Sequence, residues 1–86
     1  MSATRQEVNL IVDSERDYQD TLNARKLKIG EEILLLEEYT ARARAEWAGN
    51  FASEESTLDM IRKVTGIGVR CMEHHGAPYR ASIPQS

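Results

Sequence analysis

The chain has a single cysteine, Cys71, and no proline before Pro78. A lone cysteine cannot pair within the chain, so an internal disulfide is excluded, and the thiol reads as a core group in a reducing compartment. No Cys/His spacing of the zinc type occurs, which removes the other common staple of a small domain. Aromatic residues are scarce: one Phe, one Trp and three Tyr. No apolar run approaches the ~20 residues that span a bilayer, and the opening segment MSATRQEVN has no apolar signal core. The expectation is a cytoplasmic protein with no membrane partner. Positive charge is also in short supply, with 11 Lys and Arg against 14 Asp and Glu and a formal net charge of −3. Nucleic acid, whose binding rests on neutralising phosphates, is therefore not an expected partner.

What remains is rich in the helix formers Glu, Ala, Leu and Arg. Its 86 residues are enough for one core and too few for two. A chain of this size buries only roughly 60–65% of the surface its unfolded form exposes, so its stability needs help. With disulfides and zinc set aside, association between copies is the remaining common route.

Hydrophobic periodicity predicts three helices. The first runs from about Thr4 to Leu22. Its inner face carries Val8, Ile11, Val12, Glu15, Tyr18, Gln19 and Leu22, and its wet face Asp13, Arg16, Asp17 and Asp20. Asn23 and Gly30 are candidate turn positions before the second helix, which starts between Lys26 and Gly30 and ends near Ala48. That helix is apolar along two edges: Ile29, Ile33, Leu36, Thr40, Ala43 and Trp47 on one, Leu27, Leu34, Ala41 and Ala48 on the other. One neighbour cannot cover both. Gly49–Ser53 breaks the pattern, Ser53 or Ser56 caps the third helix, and Gly76 with Pro78 ends it near His75. The third helix has a narrow polar wedge of Asp59, Arg62, Lys63, Gly66, Arg70 and Glu73, so it is expected at the centre, with close packing offsetting the low helix propensity of Gly66 and Gly68. The expected fold is all-α: a three-helix antiparallel bundle over residues 1–78 as a single domain, completing its core by homo-oligomerisation, with a flexible C-terminal tail at 79–86.

Glu15, Gln19 and Glu32 sit on or beside apolar faces, where a polar group needs a partner. Two readings stay open. Glu15 or Glu32 pairs with Arg62 or Arg70 from another helix and fixes register, or the three line a pocket that receives a ligand or metal. The pairs Glu31/Glu32 and Glu37/Glu38 suggest magnesium, but none stands three or four residues from another, so no two share a face as ligands must. His74 and His75 point about 100° apart on a helix and suit the dipole at its C-terminus better than a metal. Cys71 with His75 at i+4 has nucleophile–base spacing but no orienting third group. Arg62, Lys63, Arg70 and Arg80 read as a wet helix face or a small anion site.

The segments ERDYQD (Glu15–Asp20), GEEILLLEEY (Gly30–Tyr39) and IRKVTGIGVRCMEHHGAP (Ile61–Pro78) resemble those of small phage and prophage helical proteins. That group is similar, more distantly, to the MazG-like all-α NTP pyrophosphohydrolases, which hold magnesium on a nucleotide triphosphate with carboxylates spaced E-x-x-E and E-x-x-D. The resemblance implies a dimer or tetramer. Here Leu34 and Leu35 stand where the first motif needs a glutamate, and Ser56 stands where the second does. The functional expectation is thus a non-catalytic oligomeric binding protein, phage-encoded by that resemblance. It would bind or sequester a nucleotide-like ligand, or inhibit a host protein, with no cofactor. Glu15, Gln19 and Glu32 would form the pocket, with Arg62 and Arg70 on anionic parts of the ligand. The alternative is a magnesium-dependent nucleotide pyrophosphohydrolase using Glu31, Glu32, Glu55 and Asp59.

Overall fold

The computed structural model describes residues 2–22, 25–49 and 53–81. The expected turn at Asn23, most of the break at 49–53 and the end of the tail lie outside the described residues. Three helices account for the fold: α1 (Arg5–Leu22), α2 (Ile29–Ala48) and α3 (Glu54–His75). The chain is all-α, as expected, and among the described residues there is no strand.

Each helix starts where a side chain meets the free N–H groups of its first turn. Thr4 Oγ1 accepts from the Glu7 N–H at 3.1 Å, and Glu7 Oε1 accepts from the Thr4 N–H at 3.3 Å, a reciprocal capping box. In α2 the Glu31 carboxylate accepts from the Lys28 N–H at 2.8 Å. Ser53, one of the two serines expected as a cap, holds α3 by accepting from the Ser56 N–H at 3.3 Å. At the other end Gly76 turns the chain out of α3 with φ 116°, a conformation that suits glycine, and its N–H closes onto the Met72 carbonyl at 2.8 Å.

α3 lies between the other two helices, which do not pack against each other. Three side-chain bonds fix the α2–α3 register: His75 to the Leu27 carbonyl, Arg70 to Glu32, and Ser56 to Glu46. Each step forward along α2 is matched by the same step back along α3, so the pair is antiparallel. α1 runs the other way, since Glu15 bonds Arg62 and Gln19 lies against Gly66 at the same sequence offset. The order is up, down, up.

The partition of polarity is not the expected one. Among the described residues the only buried apolar side chains are Leu27 and Ile67, while Glu15, Arg16, Gln19 and Glu32 are all buried. The polar wedge of α3 faces its neighbours instead of water. Arg16, assigned to the wet face of α1, is only 6% exposed. Val8, Ile11, Tyr18 and Leu22 of α1 are each about half exposed or more, as are Ile29, Ile33, Leu34 and Trp47 of α2. The molecule is correspondingly open. It exposes 7179 Å² where a compact monomer of its mass exposes about 5,100 Å². Its radius of gyration is 14.8 Å where about 12 Å is usual.

Candidate functional site

The polar seam between α1 and α3 begins at Gly66. A Cβ placed there would lie 2.7 Å from Gln19 Nε2 and 2.8 Å from Glu15 Cγ, so glycine is what lets α1 come this close. Nothing comparable surrounds Gly68, where an added Cβ would meet no atom within 4 Å. The close packing expected at both glycines is found within this chain at Gly66 alone.

Over that notch the side chains form a continuous network. Arg62 Nε donates to Glu15 Oε1 at 2.8 Å, and Gln19 Nε2 donates to Glu15 Oε2 at 3.1 Å and to the Lys63 carbonyl at 3.3 Å. The amide oxygen of Gln19 accepts from Arg16 at 3.3 Å, and Arg16 reaches Asp20 at 2.9 Å and Glu73 at the far end of α3. Arg62 also meets Asp59 at 2.6 Å, with Lys63 3.6 Å from the same carboxylate. The Glu73 carboxylate holds the Arg16 guanidinium above its ordinary value, and Glu15 does the same for Arg62, in each case against the opposing effect of burial. The hydrogen bond from Arg62 lowers Asp59.

Glu32 is a separate case. It is fully buried, and Arg70 grips it with two parallel bonds, Nε to Oε1 at 3.1 Å and Nη2 to Oε2 at 2.9 Å. Such a fork is the strong geometry for guanidinium and carboxylate. Of the two readings left open by the sequence, the structure supplies pairings for the first: Glu15 with Arg62, and Glu32 with Arg70. It also brings part of the set to one hollow. A groove of about 220 Å³ opens between the three helices, lined by Glu15 and Gln19 from α1, Tyr39 from α2, and Lys63 and Arg70 from α3, with Tyr18 at its rim. Glu32 lies beneath it, shielded by Arg70, and Arg62 lines a neighbouring hollow with Asp59 and Ile11.

The acidic residues of the magnesium alternative do not meet within one chain. Glu31 and Glu32 open α2, level with Arg70, whereas Glu55 and Asp59 open α3, level with the end of α2. The eleven residues from Asp59 to Arg70 span about 16 Å of helix. Glu31 is held below the usual carboxylate range by the Lys28 N–H and, next, by Arg25. Among the described residues no three His, Cys, Asp or Glu side chains come together as a metal site. His75 Nε2 lies 2.7 Å from the Leu27 carbonyl, which can only accept, so this nitrogen carries a proton and ties the start of α2 to the end of α3. No helix among the described residues is long and apolar enough to cross a membrane.

Sequence reasoning missed Arg16 and Glu73 as members of the network and Tyr18 and Tyr39 as groove residues; Lys63 it named with Arg70 in a candidate anion site. Arg16 and Gln19 stand three apart on a helix, a spacing that permits their contact. The reach from Arg16 to Glu73, across 57 positions, left no local signal. No protein-family model matches the chain, and no curated protein or solved structure shows significant similarity to it.

Proposed function

We infer that the chain is a non-catalytic helical binding protein that works as an assembly of several copies. One observation carries this reading: the buried charged groups on its helices are spent on one another, while many large apolar side chains face outward. Glu15, Glu32, Arg16, Arg62 and Arg70 all have partners of opposite charge, which suits them to fixing register. An outward apolar surface stabilises nothing until another surface covers it.

The ligand class follows from the groove. Tyr18 offers an aromatic face and Lys63 a positive charge, while Tyr39 is already stacked by Arg42 and Arg70 is held by Glu32; an aromatic face beside a cation suits a nucleotide-like molecule. At about 220 Å³ the groove is below the ~300–1,000 Å³ of ordinary ligand pockets, so it would hold only part of such a molecule.

The test combines mass and melting. Light scattering should find more than one copy per particle. A panel of nucleotides, run with and without magnesium, should raise the melting temperature without the metal and without turnover. A ligand at a hundred times its Kd contributes about 2.7 kcal/mol, which is many degrees for a chain this small. Pyrophosphate release that needs magnesium would replace this reading with catalysis. An assembly that no nucleotide stabilises would leave a protein partner as the occupant.

A further inference from the structure

The outward face of α2 carries a pattern that a second copy of the chain would complete. A groove of about 420 Å³ runs along it, lined by Ile33, Leu36, Glu37, Thr40, Ala41 and Arg44. Its centre is small, at Thr40 and Ala41. Ile33, 47% exposed, stands at one end, and Trp47, 60% exposed, lies beyond the other, seven residues after Thr40 on the same helix. Trp47 shares a second hollow with Leu58 and Ile61 of α3, so the apolar surface continues onto the neighbouring helix.

Glu37 and Arg44 are opposite in sign and lie along one groove, and among the described residues neither forms an ion pair. Seven residues separate them by about 10 Å along the axis, too far to pair with each other. A second α2 laid antiparallel on the first, with the two-fold axis between Thr40 and Ala41, places Glu37 of each copy opposite Arg44 of the other. The same register brings Ile33 of each copy within one residue, about 1.5 Å of helix rise, of the level of the partner's Trp47. Self-complementarity of this kind is what a two-fold interface requires.

We propose that two copies join through their α2 helices, antiparallel and centred between Thr40 and Ala41, with Glu37 of each paired to Arg44 of its partner and Trp47 buried against the partner's Ile33. The proposal rests on the self-association inferred above and names the surface that carries it. Leu58 and Ile61 flank the contact, so the two α2–α3 hairpins meet as a four-helix layer and α1 stays outside it. The occupant is a copy of this chain because the charges match under the two-fold.

The experiment is sedimentation of the full chain over a range of concentrations. The set comprises wild type, Glu37→Arg, Arg44→Glu, and an equimolar mixture of the two variants. Wild type should be dimeric or larger. Each single substitution sets like charges against each other twice per dimer and should raise the dissociation constant about tenfold or more. In the mixture every such contact again joins opposite charges, and association should return to within about threefold of wild type. Rescue also guards against misfolding, since a variant that unfolds alone and regains helix on mixing supports the same contact. Trp47, the only tryptophan, reports locally: its emission should move to the blue and resist quenching as the dimer forms. Wild type that stays monomeric refutes self-association itself. A wild-type oligomer untouched by either substitution, a mixture that fails to recover, or a tryptophan that remains wet in the oligomer overturns this interface and leaves self-association standing.

Discussion

Replacing Gly66 with alanine should destabilise the protein, although helix propensity alone predicts the opposite. Glycine inside a helix costs up to ~1 kcal/mol relative to alanine, so the substitution starts with a gain of that size. Against it stand two contacts. The new Cβ would lie 2.7 Å from Gln19 Nε2 and 2.8 Å from Glu15 Cγ, where comfortable contact begins at about 3.5 Å. Neither neighbour can swing away cheaply. Glu15 is held by Arg62 and Gln19, and Gln19 by the Lys63 carbonyl and Arg16. Relief therefore requires α1 to retreat by most of an ångström. Overpacking of this kind costs about 1–3 kcal/mol, and the stretched bond from Gln19 to Lys63 roughly 1 kcal/mol more. The net expectation is a loss of about 1–3 kcal/mol. Urea unfolding followed by far-UV circular dichroism measures it as a lower midpoint at unchanged slope. Gly30→Ala is the control, because a Cβ there meets nothing within 4 Å, and it should be neutral or stabilising by up to ~1 kcal/mol. If Gly66→Ala proves as stable as wild type, α1 does not seat on α3 as described.

Three further outcomes follow from the same packing. Glu32→Gln or Arg70→Met should each cost about 3–5 kcal/mol, read by the same unfolding curves. The double substitution Glu32→Leu with Arg70→Met should recover most of that, because an unpaired buried charge is worse than none. Asp59 is lowered in the folded state by Arg62, so its contribution is present above its unfolded value near pH 3.9 and is lost as the pH falls through the lower folded value. A melting-temperature series from about pH 5 down to pH 2 should fall less steeply for Asp59→Asn than for wild type. Ser53→Ala removes the acceptor for the Ser56 N–H and should lower stability by about 1 kcal/mol; an unchanged urea midpoint would show that the cap is idle.

Helix number and approximate bounds were legible because propensity and period act locally. Ser53, Gly76 and the break after Ala48 are short-range signals, and the helices start and stop close to them. Which face turns inward was not legible. Periodicity finds a stripe but assigns it to the core by assuming that apolar means buried. In α1 that assumption selected the correct side for Glu15 and Gln19 while misplacing Arg16, whose long side chain bends over to Asp20 and Glu73. In α3 it put the wedge of Arg62, Gly66 and Arg70 in water, because nothing local tells a solvated charge from one answered by a carboxylate some forty residues away. The possibility that Glu15 and Glu32 pair with Arg62 and Arg70 was readable from burial cost alone. The groove residues Tyr18 and Tyr39 were not, since they meet Lys63 only once three helices have been set side by side.

The three ties that set α2 against α3 are polar and directional, and they stand at the two ends and toward one end of the span between them. A greasy seam tolerates sliding, but a slip of one helical turn here would open the carbonyl clamp at His75, the fork on Glu32 and the serine contact at Glu46 together. The hairpin therefore behaves as a single rigid part. α1 is held to it through α3 alone, at the Gly66 notch and by the bonds to Arg62, Lys63 and Glu73, and has no hold on α2, so it is the part that can lift away while the hairpin keeps its shape and the first stretch of backbone to offer its amides to water.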